Sequence, residues 1–435
     1  MVSERTNTRK MVCEKKGNFG LLIPSLSESA KKVFGALLAL GSASRPQLSD
    51  QTDLSKQTVS LAIEELEMSQ LVEMTSSRQG HTGRSASVYE IGSKSGWILG
   101  VDFGSTHIRL AAIRLDGTLL IERDLSVAGS PNKANTDLAD DARAAVRALT
   151  DELTDQHGPL YTVCVGLSRA APRLKDWNSE EDEDDPQDVR SLLESLDIPS
   201  SVSFYAENNV NCAVVGEALS NPSQTLRYAA YLQIGVGIGA GIIADGKLLR
   251  GADGMAGELR FLPSPFFDDA ASNAEEALSS RGIVARYNAG RNGEGDTDVI
   301  SAKEVFERAA RGLPHAIDMV RRLSSGLGLL LAALVAVANP RTIVLGGGVG
   351  QNPALLPLLA DEARRLRLPV ELRASGLGDS ATVTGAAFLA RSATLSNLLG
   401  SHYHPGPSPA GRRMQNIPPE ARLSATAVRL GVRGD

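Results

Sequence analysis

In the first fifth of the chain, apolar residues recur three and four positions apart and then begin to alternate. Ser27 stands ahead of Val33, Leu37, Leu38 and Leu40, a spacing that lays one apolar face along a helix, and Gly41 closes it. A shorter helix is predicted over Gln47 to Thr52, with Leu48 turned inward. Ser55 opens a third, in which Val59, Ala62, Ile63 and Leu66 share a face. Leu71-Val72-Glu73-Met74 and Ala86-Ser87-Val88-Tyr89-Glu90 read as two short strands around a polar turn rich in glycine.

From residue 93 the pattern becomes that of an α/β protein, with strands, glycine turns and helices in alternation. Trp97-Ile98-Leu99-Gly100-Val101-Asp102 is a buried strand, Phe103-Gly104-Ser105-Thr106 a tight turn, and Ile108 to Arg114 a returning strand. Asp116-Gly117 turns the chain again into Leu119-Leu120-Ile121. The longest apolar run, Leu327 to Ala338, is shorter than the roughly 20 residues a bilayer requires, so it is predicted to be a buried helix. Gly92-Ser93-Lys94-Ser95-Gly96 has the composition of a linker. Residues 1–20 look like a basic, mobile tail, and residues 395–435, rich in proline and without periodicity, are expected to be disordered.

Composition narrows the class. At 435 residues the chain suggests two or three domains. The net charge of −6 argues against a surface basic throughout, though a small basic-faced head can sit within an acidic total. Cys13, Cys164 and Cys212 form no CxxC pair, which excludes a disulfide scaffold and suits a reducing cytoplasm. Residues 1–20 lack the apolar core of a signal peptide. The acidic run Glu180 to Asp185 is read as a solvated loop, since nothing hydrophobic accompanies it.

The third predicted helix leaves Lys56, Gln57, Thr58, Ser60 and Leu61 at its exposed N-terminal end, the end that enters a major groove when such a helix reads DNA. The turn after it carries Arg78 and Arg84 and no acid, which suits the negative potential of a minor groove. Residues 21–92 thereby resemble a bacterial winged helix-turn-helix. A three-helix protein-interaction module is the competing reading, because this segment holds slightly more acid than base; Glu64, Glu65 and Glu67, however, lie toward the far end of the helix.

In the body, Asp102-Phe103-Gly104-Ser105-Thr106 resembles the phosphate-binding hairpin of the actin-like, ribonuclease-H-like ATPase fold. Two further glycine clusters follow, Gly235-Val236-Gly237-Ile238-Gly239 and Gly346-Gly347-Gly348, with Gly254-Met255-Ala256-Gly257-Glu258 between them and Gly385-Ala386-Ala387 near the end. In this order they resemble the ROK family (repressors, open reading frames and sugar kinases), and the head makes the chain similar to the xylose- and N-acetylglucosamine-type repressors. The resemblance implies two α/β lobes around a sugar cleft in residues 93–394: the first about 93–210 plus the last helix, the second about 211–378. It also makes Asp102, Gly104, Thr106, Gly235, Gly237 and Gly239 relics of phosphate loops.

The departures from that pattern are informative. Where family kinases carry a catalytic Asp, the stretch reads Glu207-Asn208-Asn209-Val210-Asn211, and an amide cannot take the sugar hydroxyl's proton. Val236 replaces a phosphate-side Thr. Arg260 and Phe261 stand where the family has Gly and His, and no cysteine occurs between Phe261 and Glu276, so the family's zinc ligands are missing. Asn208, Glu258 and Glu276 match family sugar contacts, retained or merely inherited. Arg260, if it faces inward, would favour an anionic ligand.

The expected protein is a cytoplasmic, nucleoid-associated regulator, a repressor by expectation. It would bind a double-stranded, inverted-repeat operator as a homodimer or homotetramer, sense a sugar or sugar phosphate, need no cofactor or metal, and touch no membrane. A sugar kinase with a DNA-binding head and a ligand-independent regulator are its rivals.

Overall fold

The computed structural model describes residues 23–78, 86–104, 107–126, 135–168, 195–220, 226–263, 273–290 and 298–400. The chain opens with α1 (Glu28–Leu40), β1 (Ser42–Ser44), α2 (Arg45–Thr52), α3 (Lys56–Met68), β2 (Val72–Arg78) and β3 (Ala86–Ile91). Each helix start has a local cause. Ser27 and Ser55 accept the backbone N–H groups of Ala30 and Thr58, and Ser44 forms a reciprocal pair with Gln47. Val33, Phe34, Leu37, Leu48, Val59, Ile63 and Leu66 are buried together, the apolar faces the spacing calls for. The sheet has the order β1-β3-β2. Strand β1 was not anticipated: Ser-Ala-Ser carries no strand pattern, and the strand exists because it pairs with β3 (Ala43 opposite Tyr89).

The body holds two five-stranded sheets of one plan. The first contains β4 (Trp97–Phe103), β5 (His107–Arg114), β6 (Leu119–Ser126), β7 (Leu160–Leu167) and β8 (Ser203–Asn208), in the order β6-β5-β4-β7-β8. The second contains β9 (Ala229–Ile234), β10 (Ile238–Ala244), β11 (Lys247–Leu248), β12 (Thr342–Gly346) and β13 (Glu371–Ala374), in the order β11-β10-β9-β12-β13. In both, three antiparallel strands are followed by two parallel ones. Helix α4 (Asn135–His157) belongs to the first lobe, and α5 (Asn209–Ser220) follows β8. Helices α6 (Ala274–Leu278), α7 (Ser280–Ala289), α8 (Ala302–Ala310), α9 (Pro314–Ala338), the one-turn α10 (Gly347–Gly350) and α11 (Leu355–Arg365) belong to the second. The chain returns through α12 (Ala381–Leu399).

Helix α12 lies against α5, β4 and β7, and α5 also reaches β9 and β10. The approach is close enough to demand glycine, because a Cβ on Gly385 would stand 1.7 Å from the carbonyl oxygen of Cys212. Helix α12 runs further than expected. Leu395 and Leu398 are buried, so the segment from 395 continues as helix to Leu399 before Gly400 ends it. Helix α9 also exceeds its apolar run: at 25 residues it is long and apolar enough to cross a membrane by length and composition alone. Its Leu323, Leu327, Leu330, Leu331 and Leu334 fill the core of the second lobe, which makes it a core helix.

The join between head and body is packed rather than loose. Gly92 N–H donates to the Leu71 carbonyl (2.9 Å), Ser95 N–H to Gly92 (3.1 Å) and Gly96 N–H to His157 (2.8 Å), and α1 touches α12. Residues 1–20, the acidic run at 180–185 and the tail beyond 400 lie outside the described residues.

Candidate functional site

In the head, Lys56 and Gln57 are exposed at the start of α3, and Leu61 is 60% exposed one turn later. Two of the polar residues singled out from sequence have local partners. The Thr58 hydroxyl lies 2.8 Å from Ser55 Oγ, and the Ser60 hydroxyl donates to the Lys56 carbonyl (3.0 Å). Glu65 accepts from both the backbone and the hydroxyl of Ser27 (2.7 and 2.6 Å), so this acid is committed to holding α1 on α3. Arg78 ends β2, opposite Ala86; its side chain and Arg84 lie outside the described residues.

In the body, a cleft of about 300 Å³ opens between the ends of the two sheets. Ser168 after β7 and Asn208 and Asn209 at the β8–α5 junction line one side. Gln233, the glycine hairpin from Val236 to Gly239, Glu258, Arg260, Glu275 and Arg281 line the other. The β8–α5 corner is set by buried Glu207, which accepts from Asn208 N–H (3.0 Å), Asn211 Nδ2 (2.9 Å) and Arg250 Nε (2.7 Å). Gly257, at φ +87°, lets the loop before Glu258 press on β10, where Ala240 N–H reaches its carbonyl (2.8 Å). Glu258 is thereby delivered to the cleft, where Asn208 Nδ2 donates to it at 3.1 Å and Arg260 Nε forms an ion pair with it at 3.1 Å.

The sequence-predicted residues divide. Asn208, Glu258, Arg260, Gly237 and Gly239 line the cleft, and Gly235 forms the base of the same hairpin, donating to the Gly237 carbonyl (3.1 Å). Glu276 does not. It is exposed, and its neighbour Glu275 takes the place in the lining, because successive residues of α6 point about 100° apart. Glu275 Oε2 accepts from Ile238 N–H (3.0 Å), a bond that closes the hairpin onto α6. Asn209 faces Ser168, with Nδ2 3.4 Å from the hydroxyl. Ser168, Gln233, Glu275 and Arg281 were missed from sequence: Ser168 and Arg281 sit in no recognisable motif, while Gln233 and Glu275 stand beside the motif residues Gly235 and Glu276 and only the fold turns them into the cleft; the cap residue Ser279 marks the helix start that places Arg281.

Asp102 lies at the end of β4, nearly buried, with Arg109 Nη1 at 3.6 Å and His107 Nε2 at 3.8 Å. Arg109 also reaches Asp124 (3.0 Å) and Asp379 (3.7 Å). A cation is thus already fixed beside the carboxylate of the hairpin that resembles a phosphate-binding one, a carboxylate that would otherwise be open to orient a hydrated metal ion. Gly104 N–H donates to the His107 carbonyl (3.0 Å), and Thr106 lies outside the described residues. The residues around Phe261 do not fit a structural zinc, since Phe261 and a cysteine-free stretch supply no soft ligand.

Comparison with known proteins agrees with this arrangement. The ROK family model matches residues 98–393. The chain is 27% identical to a glucokinase of Streptomyces coelicolor over 332 residues, 68% of this chain and 98% of that one. It is 25% identical to a xylose repressor of Caldicellulosiruptor bescii over 337 residues, 70% and 78% of the two chains. Among solved structures it is similar to a ROK family transcriptional regulator, a homologue of the E. coli MLC protein. There the TM-score is 0.63 at 22% identity, covering 86% of this chain and 97% of that one.

Proposed function

The chain belongs to the ROK family, and from that premise we propose that it is a DNA-binding transcriptional regulator, a repressor, whose kinase-like body is catalytically silent. The body senses a sugar-type effector and joins chains into a dimer or tetramer. The observation that carries this reading is Asn209. It stands at the position the family resemblance gives to the general base, its amide turned to Ser168, and an amide has no lone pair basic enough to take a sugar hydroxyl's proton. The head supports the same reading. Three helices and a three-stranded sheet hold Lys56 and Gln57 in the open, and the xylose repressor match speaks for a regulator.

One winged helix reads few base pairs, so useful affinity calls for two half-sites and an inverted-repeat operator. Such a protein works in the cytoplasm on the nucleoid. An effector would act by its differential affinity for the DNA-competent and DNA-incompetent arrangements of the chain. The glucokinase match favours a second reading, an active sugar kinase with a regulatory head.

One experiment separates them. Full-length protein is used to select DNA from random fragments, and the same preparation is assayed for sugar-stimulated ADP release. Salt-sensitive enrichment of an inverted repeat without turnover is expected. Turnover without DNA preference would replace the proposal by the kinase reading.

A further inference from the structure

We propose that the cleft takes an anionic sugar, a sugar phosphate or a sugar acid, whose charged group is held by Arg260 and Arg281. This rests on the reading of the body as an effector sensor and goes further by fixing the ligand's charge. Four charged side chains line the cleft: Glu258, Glu275, Arg260 and Arg281. Both carboxylates already serve internal partners. Glu258 accepts from Asn208 and is ion-paired with Arg260, and Glu275 accepts from the backbone of Ile238.

The two guanidinium groups have capacity to spare. Arg260 faces Glu258 with its Nε as an ion pair, and its two terminal nitrogens meet no acceptor among the described residues. Its guanidinium lies 4.8 Å from the centroid of the Phe261 ring, which holds the fork in place. Arg281 is exposed in the cleft and makes no ion pair among the described residues. The donors left over are thus cationic and forked, a geometry that matches the paired oxygens of a carboxylate or phosphate. Arg281 also sits in the first turn of the ten-residue α7, where backbone N–H groups add partial positive charge.

The remaining lining suits hydroxyl groups. Ser168, Asn208, Asn209 and Gln233 offer uncharged donors and acceptors. A volume of about 300 Å³ is at the small end for ligand sites and suits one monosaccharide with one anionic group rather than a nucleotide. The Glu275 carboxylate, reaching the glycine hairpin from α6, also occupies the Ile238 N–H that a polyphosphate in the hairpin would use.

The test is titration calorimetry on the full chain. The probes are glucose, mannose and N-acetylglucosamine, each neutral and as the 6-phosphate, with gluconate, glucuronate, inorganic phosphate and ATP alongside. At least one charged sugar is expected to bind tenfold or more tightly than its neutral parent and than phosphate alone. Arg281→Gln should bring it down toward the neutral sugar's affinity, and Arg281→Lys should keep part of the advantage. Both arginines are exposed enough to be replaced without loss of fold, and circular dichroism of each variant verifies this. A neutral sugar binding as well as its charged form, an advantage that survives R260Q/R281Q, or ATP binding as tightly would overturn the inference and leave the sensor reading standing. Binding by no sugar at all would remove both.

Discussion

The backbone N–H of Ile238 donates to the carboxylate of Glu275 at 3.0 Å, so the glycine hairpin that would cradle a phosphate already holds an internal anion. On the facing lobe, Arg109 stands 3.6 Å from Asp102, where a phosphate-bound metal would need an uncommitted carboxylate. On the proposed reading, the two contacts add to the loss of a base at Asn209 rather than duplicate it. Asn209→Asp alone is therefore expected to give no sugar-dependent ATP turnover, measured by coupled ADP release against a no-enzyme control. Recovery in that single variant would mean that neither contact blocks the nucleotide.

Lys56 is the exposed cation at the start of α3, and it makes no ion pair among the described residues. If it meets a phosphate, Lys56→Ala should weaken binding to all sequences alike and lower the salt slope by about one. Gln57→Ala should instead relax sequence preference while leaving the salt slope as it was. Fluorescence anisotropy across a salt series, on the selected operator and on a scrambled duplex, distinguishes them. Equal loss of slope in both variants would contradict these assignments.

Much of this was legible in the sequence for a physical reason: regular periodicity and capping are local. Ser27 and Ser55 cap the helices they were expected to cap, and Gly104 stands where β4 ends and the chain returns as β5, as read. What escaped depends on long-range geometry. Strand β1 exists only through its pairing with β3. Helix α12 extends to Leu399 because Leu395 and Leu398 find a core. Glu275 and Glu276 are indistinguishable as letters, and only the orientation of α6 decides which one enters the cleft. Arg109 carried no motif, yet it neutralises the most conspicuous Asp in the chain.

Buried titratable groups predict alkaline behaviour. Burial pushes the Cys212 thiol well above its ordinary range, and neighbouring Cys164 and the charges of Glu207 and Asp102 act in the same direction. Since the thiolate is the reactive form, iodoacetamide at pH 8 should leave Cys212 unmodified in the folded chain and label it in guanidinium, as read by peptide mass spectrometry. Burial likewise raises the Tyr161 phenol to about 12. The folded state then keeps this proton while the unfolded chain loses it, so stability falls as pH rises from about 10 to 12, by on the order of 2–3 kcal/mol. Tyr161→Phe should flatten the decline in melting temperature over that range.

The joint between head and body allows the most direct test of how a ligand signal would travel. Gly92 is buried, and a Cβ there would stand 2.5 Å from the Gln70 carbonyl oxygen; Gly96, at φ +97°, faces Tyr161 as closely. The backbone bonds Gly92–Leu71, Ser95–Gly92 and Gly96–His157 brace the segment from both sides. Only Ser93 and Lys94 are exposed, and Ser93 Oγ is itself tied to Glu73 (2.9 Å). A braced joint transmits displacement, whereas a slack one absorbs it. Inserting Gly-Gly between Ser93 and Lys94 should therefore leave ligand affinity in the cleft unchanged and preserve operator binding without ligand. The ligand's effect on operator affinity, commonly 5- to 150-fold when two sites are coupled, should fall toward none. Calorimetry reports the first quantity, and anisotropy with and without ligand reports the others. If the insertion keeps the full ligand effect, the braced joint is not the route, and the contact between α1 and α12 becomes the next element to loosen.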